Sequence, residues 1–195
     1  MSATAVSRTV PRSALAPRMS SLKITLVWIG LSLVAFPLAG LVGWSIGGHV
    51  DGVGPALIGG SLTGAGVGLV QWLFMKRDLG VSLLWIPATA AALAVGLTAG
   101  AAVVDYETTA ASLAIMGAIS GAAVGVAQGL LLRDRFSLWH VWALAMPALW
   151  ALGWVVTEAG GIDVANQFTV FGAYGSIVFG ILAGLLMAIG RRLGG

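Results

Sequence analysis

The sequence predicts an all-α, polytopic membrane bundle of six transmembrane helices, arranged as three tandem helical hairpins with pseudo-threefold symmetry. Three observations lead there. Hydrophobic residues make up 58% of the chain and charged residues 9%, against about a quarter charged in soluble domains. Six apolar runs free of Lys, Arg, Asp and Glu are long enough to cross a hydrocarbon core, which takes about 20 helical residues. Finally, a hairpin-length unit recurs along the chain.

In order, the runs are Ile24 to Ile46, Gly54 to Met75, Val81 to Val104, Thr108 to Leu132, Leu138 to Val156 and Phe168 to Ile189. The first carries Trp28 near its start and Pro37 at mid-span. The second is glycine-rich and ends at Gln71 before Lys76 and Arg77. The third opens with Trp85 and Pro87, and the fourth repeats the glycine pattern and ends at Gln128 before Arg133 and Arg135. The fifth holds Trp142 and Pro147, and the sixth runs to Arg191 and Arg192. Each proline removes a backbone hydrogen bond and is expected to kink its odd-numbered helix.

Charge placement sets the expected orientation. All 10 basic residues fall in the N-terminal tail, the two even-to-odd connections and the C-terminus, while Asp51, Asp105, Glu107, Glu158 and Asp163 occupy the opposite side. Lys and Arg collect in cytoplasmic loops, so both termini are expected in the cytoplasm. The net charge of +3 is therefore read as topology, and no nucleic-acid partner is expected. Residues 1–22, acid-free and rich in Ser, Ala and Arg, read as a disordered cytoplasmic tail ahead of a transmembrane domain over 23–195. Such a leader is also what an organellar transit peptide looks like, but Pro11 and Pro17 interrupt an amphipathic helix. A bacterial inner membrane is the expectation, an organellar membrane the alternative.

Sliding the chain until Trp28 lies on Trp85 also brings Trp85 onto Trp142, Ala39 onto Gly96, Gly60 onto Gly117, Gly64 onto Gly121, Gly68 onto Gly125, Gln71 onto Gln128 and Lys76 onto Arg133. Allowing two extra residues in the last acidic loop, Ser176, Gly180, Gly184 and Arg192 continue the series. The units are about 24–80, 81–137 and 138–195. Two spans per unit give successive units the same orientation, hence a pseudo-threefold axis along the membrane normal.

Gly60, Gly64 and Gly68 are four apart, and Gln71 lies about 20° from the first at 100° per residue, so the four share one helix stripe. Gly117, Gly121, Gly125 and Gln128 form a second stripe, and Ser176, Gly180 and Gly184 a third. Such stripes let a neighbouring backbone approach closely, the small-residue packing used in membranes. Gln71 and Gln128 are expected to make interhelical polar contacts worth about 0.6–2 kcal/mol each. Met187 stands at the third position. Trp28, Trp85 and Trp142 are expected as interface anchors, with rings buried and N–H groups near the headgroups.

No catalytic, cofactor or metal site is expected. The chain has no cysteine, His49 and His140 fall at the outer and cytoplasmic ends of their spans on opposite sides, and Ser176 after Gly175 has no membrane-embedded histidine to activate it. Coupled transport usually keeps ionisable groups inside the spans, and here Glu158 at the end of the fifth is the nearest. Prolines in odd helices invite comparison with mitochondrial carriers, but Pro37 is followed by Leu38, Ala39 and Gly40 where those proteins have charges.

The segments Gly68-Leu-Val-Gln71-Trp72-Leu-Phe-Met-Lys76-Arg77 and Gly125-Val-Ala-Gln128-Gly129-Leu-Leu-Leu-Arg133 resemble a helix end found in uncharacterised bacterial multispan membrane proteins, Gly-x-x-Gln-Trp-Leu-x-x-Arg. The resemblance covers about Ile24 to Trp154. It implies a bacterial membrane and no activity. The functional expectation is a non-catalytic accessory or scaffold subunit binding other membrane proteins or lipids, with the lipid bilayer as its surroundings. The alternative is a small permease or channel for an uncharged or lipid-like molecule. A scaffold predicts a closed axis filled by glycine-to-backbone contacts and an apolar outer groove, and a permease predicts a polar path along the axis.

Overall fold

In a computed structural model, which describes residues 20–164 and 169–193, six α-helices follow one another: α1 Ser21–Gly47, α2 Val53–Asp78, α3 Trp85–Val103, α4 Ala110–Leu132, α5 Trp139–Ala159 and α6 Ala173–Leu193. There is no strand among the described residues. All six are long and apolar enough to cross a membrane, so the chain is an all-helical, multi-pass membrane protein in its architecture. Each helix packs on its neighbours in sequence, and α6 returns to α1. The six thus form a closed ring.

Most of the expected tail lies outside the described residues. Its last residues do not stay irregular: Ser20 caps α1 by accepting from the Lys23 backbone N–H at 3.3 Å, so Ser21 and Leu22 are helical. An N-cap hydroxyl satisfies one of the four orphan donors of a helix start. Thr109 does the same for α4, accepting from Ser112 at 3.2 Å. The third run is shorter than expected, because residues 81–84 form a turn and α3 begins at Trp85. Pro87 therefore sits in the first helical turn, where its missing N–H breaks no intrahelical bond, and the kink expected there loses its cause. Pro37 and Pro147 are interior.

The largest departure is the last acidic connection. Helix six was expected from Phe168, yet α6 starts at Ala173, and Thr169, Val170, Phe171 and Gly172 before it are non-helical and buried. Irregular backbone at such depth is tolerated where protein satisfies it, and here the Gly172 N–H donates to Thr157 Oγ1 at 3.1 Å. Thr169 Oγ1 in turn donates to the Gly40 carbonyl at 3.2 Å and meets Thr63 Oγ1, which donates to the Ala39 carbonyl at 3.2 Å. Gly43 makes room for this pair, since a Cβ there would come within 2.6 Å of Thr169 Oγ1.

The glycine stripes point at the next hairpin. A Cβ on Gly60 would stand 2.9 Å from Ala94 Cα, on Gly64 2.7 Å from Ala90 Cα, and on Gly68 3.1 Å from Thr89 Cβ, all on α3. From α4, Gly117 faces Ala151 Cα at 3.0 Å, Gly121 faces Trp150 Cβ at 2.8 Å and Gly125 faces the Ala143 carbonyl at 2.6 Å, all on α5. From α6, Gly180 faces Ile29 Cα at 2.9 Å and Gly184 faces Thr25 Cα at 3.3 Å on α1. Ser176 is fully buried but turns its hydroxyl back to the Gly172 carbonyl at 2.8 Å.

The end of the ring bearing Lys76, Arg133 and Arg191, hereafter the basic end, is laced from connection to connection. Arg191 bonds Asp78 at 2.8 Å, Arg135 donates to the Gly80 carbonyl at 3.1 Å, and Ser137 donates to the Gly190 carbonyl at 2.9 Å. With side-chain exposures of 13% and 28%, the Arg191–Asp78 pair is screened less than an open surface pair.

The seams predict a graded response to added methyl groups. Gly121→Ala, which must push α4 off the α5 backbone, is expected to destabilise by about 1–3 kcal/mol. Gly30→Ala, with nothing within 4 Å, should stay within about 0.5 kcal/mol. Unfolding of the two variants in the same detergent measures the difference.

Candidate functional site

Inside the ring, toward the basic end, five side chains from four helices form one hydrogen-bonded chain. Trp85 Nε1 donates to Gln71 Oε1 at 3.2 Å, Gln128 Nε2 donates to the same oxygen at 2.9 Å and to Thr89 Oγ1 at 3.1 Å, and Trp142 Nε1 donates to Gln128 Oε1 at 3.2 Å. An indole N–H can only donate, so each tryptophan obliges its glutamine to present oxygen. Gln128 then has its amide NH₂ left for Gln71. Chemistry thereby fixes both amide orientations.

The two glutamines, expected as interhelical contacts, therefore meet each other and also join α2 to α3 and α4 to α5. Both are buried, Gln128 at 1% exposure. The three tryptophans expected as interface anchors turn inward rather than outward to the surroundings. Trp28, Trp85 and Trp142 are 1%, 0% and 0% exposed and point into the ring. The tryptophans partly exposed at the basic end are instead Trp72, with Lys76 Nζ 4.3 Å over its ring, and Trp139. The error is one of azimuth: depth along a helix is legible from its run, but which face carries the indole depends on the neighbour's position. Trp28 differs from its two counterparts, for its buried Nε1 has no hydrogen-bond partner and its ring packs edge-on against Trp142 at 5.9 Å and Phe74 at 5.6 Å.

Above this layer, toward the acidic end, the interior is aromatic. Phe36 of α1 stacks on Phe171 at 4.6 Å and meets Phe179 at 4.9 Å and Trp150 at 5.9 Å. Phe171 comes from the buried connection and lies 5.3 Å from Trp150. Contacts such as Phe36 to Trp150 and Trp28 to Trp142 join α1 to α5, which are not ring neighbours. The ring interior is thus filled with side chains. It is closed by aromatic rings and two amides, whereas the glycine contacts lie in the seams between adjacent helices.

At the acidic end the interior opens into a cavity of about 310 Å³ whose wall includes Leu97, Ala101, Met116, Val164 and Trp154, with Trp44 and Tyr106 nearer the rim beside His49, Asp51 and Glu107. Asp105 and Tyr106, in the adjoining loop, hold φ of 51° and 59°, the left-handed region that costs a non-glycine residue on the order of 1–3 kcal/mol. Nothing in the sequence pattern singled out this cavity, because its lining comes from four helices and three connections. The histidines weighed for catalysis stay apart, His49 following α1 at the acidic end and His140 near the start of α5 at the basic end, and Glu158, weighed for coupled transport, is exposed at the end of α5. Among the described residues, no three potential metal-ligating side chains gather.

No family model matches the chain, and no curated protein or solved structure matches it.

The network predicts an asymmetric cost. Gln128→Leu strands the Trp142 N–H and removes two further bonds, and leaving a buried donor unsatisfied costs about 1–3 kcal/mol. The double variant Gln128→Leu with Trp142→Phe removes both ends of one bond and should recover part of that loss, measured as unfolding free energy in a double-mutant cycle.

Proposed function

We propose that this chain is a non-catalytic accessory or scaffold protein of a bacterial inner membrane, with both termini in the cytoplasm, that binds lipids and other membrane proteins. The observation that carries the reading is the filled interior: aromatic contacts between non-adjacent helices and the Gln71–Gln128 pair occupy the space a conducting path would need. A perimeter groove of about 220 Å³ between α1 and α6, lined by Leu22, Thr25, Leu185, Ala188 and Ile189 with Arg192 at its edge, gives an apolar chain or helix a place to lie. The confinement of Lys, Arg, Asp and Glu within the six helices to their terminal turns is consistent with the same reading.

The competing reading, a permease for an uncharged or lipid-like molecule, draws on one observation, the cavity open at the acidic end. It requires Phe36, Trp150 and Phe171 to part during passage. Proteoliposome flux decides between the two. Glycerol and urea efflux at the rate of protein-free vesicles, with a stoichiometric protein or lipid companion in native mass spectrometry, is expected. A protein-dependent efflux that Phe171→Ala accelerates would establish the conduit instead.

The three hairpins, in this reading, are related by a pseudo-threefold axis. It is supported by corresponding contacts: Gly64 to α3 and Gly121 to α5 approach equivalent residues, as do the pairs Gln71–Trp85 and Gln128–Trp142. By the same register, residue 187 is placed to serve Trp28. Met187→Gln is therefore expected to stabilise the bundle by about 1 kcal/mol, and a loss of stability would count against the register.

Orientation has its own test, made simple by the absence of native cysteine. In intact cells an impermeant maleimide should label Glu158→Cys and leave Arg133→Cys unlabelled until the membrane is opened.

A further inference from the structure

The perimeter groove between α1 and α6 has a cation at one end and no carboxylate in its wall. Leu22, Leu185, Ala188 and Ile189 make its sides, and Leu22, Leu185 and Ile189 are exposed. Thr25 also lines it but adds no unsatisfied hydroxyl, since its Oγ1 donates to the Ser21 carbonyl at 3.0 Å and approaches the Gly184 carbonyl at 3.4 Å. Ser21 and Arg192 stand at the basic end of the groove, where Arg192 Nε donates to Ser21 Oγ at 2.7 Å. Because the groove faces outward from a membrane-spanning bundle, lipid fills it in a bilayer. Its chemistry decides which lipid.

That chemistry selects an anion. A guanidinium bonded through Nε keeps both terminal NH₂ groups as donors, and a serine hydroxyl that accepts still has its own proton to give. Arg192 is exposed and has no carboxylate partner among the described residues, unlike its neighbour Arg191, which bonds Asp78 at 2.8 Å. The other acidic side chain at the basic end, Asp134, pairs with Arg133. A phosphate diester offers the planar guanidinium two oxygens, the pairing for which Arg is suited. A choline or ethanolamine head adds an ammonium, which finds no acid here and meets Arg192 at close range. Residues 1–19 carry Arg8, Arg12 and Arg18 and no acidic side chain, so they do not complement this rim either. Basic pockets between spans are where anionic headgroups bind.

We propose that the α1–α6 groove binds one anionic glycerophospholipid, an acyl chain lying against Leu22, Leu185, Ala188 and Ile189 and the phosphate oxygens accepting from the Arg192 guanidinium and the Ser21 hydroxyl. The proposal rests on the lipid-binding part of the reading above and names the lipid. Its failure is separable from the failure of that reading, because headgroup preference and lipid retention are read in one measurement.

The test is native mass spectrometry of the full chain in a neutral maltoside detergent, titrated with equimolar dioleoyl-phosphatidylglycerol and dioleoyl-phosphatidylcholine, whose acyl chains are identical. The first phosphatidylglycerol is expected to bind about tenfold more tightly than the first phosphatidylcholine. Inorganic phosphate should not displace it, since a free anion lacks the chain that the groove holds. Arg192→Gln should bring the two lipids within about twofold of each other, and Ser21→Ala should weaken phosphatidylglycerol several-fold and leave phosphatidylcholine unchanged. Arg77→Gln, which removes the same charge from an exposed position at the same end but off the groove, should keep the full preference. Should Arg192→Gln fail to fold, the two lipids on the unaltered chain and Arg192→Lys, which keeps the charge and loses the fork, decide. Equal affinity for the two lipids, a preference that Arg77→Gln lowers as much as Arg192→Gln does, or displacement by inorganic phosphate would overturn the proposal and leave lipid binding as such in place. A chain that retains neither lipid nor a protein companion would overturn the accessory reading as well.

Discussion

Close approach of helix backbones at the glycine seams is the constraint on which the other contacts rest. In lipid, one apolar helix gains no hydrophobic free energy by leaving the hydrocarbon for another, so association rests on packing and on interhelical hydrogen bonds. Gly60, Gly64 and Gly68 against α3, and Gly117, Gly121 and Gly125 against α5, bring backbones within a separation that a single Cβ would violate. Dispersion falls steeply with a gap of even half an ångström, so the seams are sensitive to any methyl group. They also act at a distance: only because α2 and α4 lie tight on their neighbours do Gln71 and Gln128 reach the indoles of Trp85 and Trp142 and then each other.

That polar chain joins the α2–α3 and α4–α5 seams, while at the α6–α1 seam Met187 is buried and Trp28 keeps a buried, unpartnered N–H. The α5–α6 hairpin departs from the others at its acidic end. Thr169 to Gly172 turns into the bundle, held by Thr63, Thr157 and the Gly40 carbonyl, and delivers Phe171 beside Phe36 and Trp150. Both features fall on the α5–α6 hairpin, which carries the buried Met187 at one level and Phe171 at another.

Closure and opening are thus segregated by level. The amides and the aromatic cluster fill the interior from the basic end upward, and the cavity begins where Trp154 forms its wall. The apolar wall and acidic rim give that mouth a chemistry distinct from the lipid around it.

What the sequence alone determined was everything set by one-dimensional chemistry. The six spans follow from runs without charge, the sidedness of charge from the placement of Lys and Arg, and the small-residue stripes from fourfold spacing; the helices begin and end within a few residues of those runs except around 81–84 and 168–172. Even those exceptions were apolar, and apolarity does not tell a helix from a buried connection. The tertiary structure alone decided which way Trp28, Trp85 and Trp142 face, because the pattern of an apolar helix in lipid carries no polar side to mark its azimuth. It also decided that Gln71 and Gln128 bond to one another, and that Trp44 and Trp154 line one cavity with Asp51 and Glu107. These are meetings of residues far apart in the chain, and their geometry comes from ring closure between α6 and α1, a fact about three dimensions that no local spacing encodes.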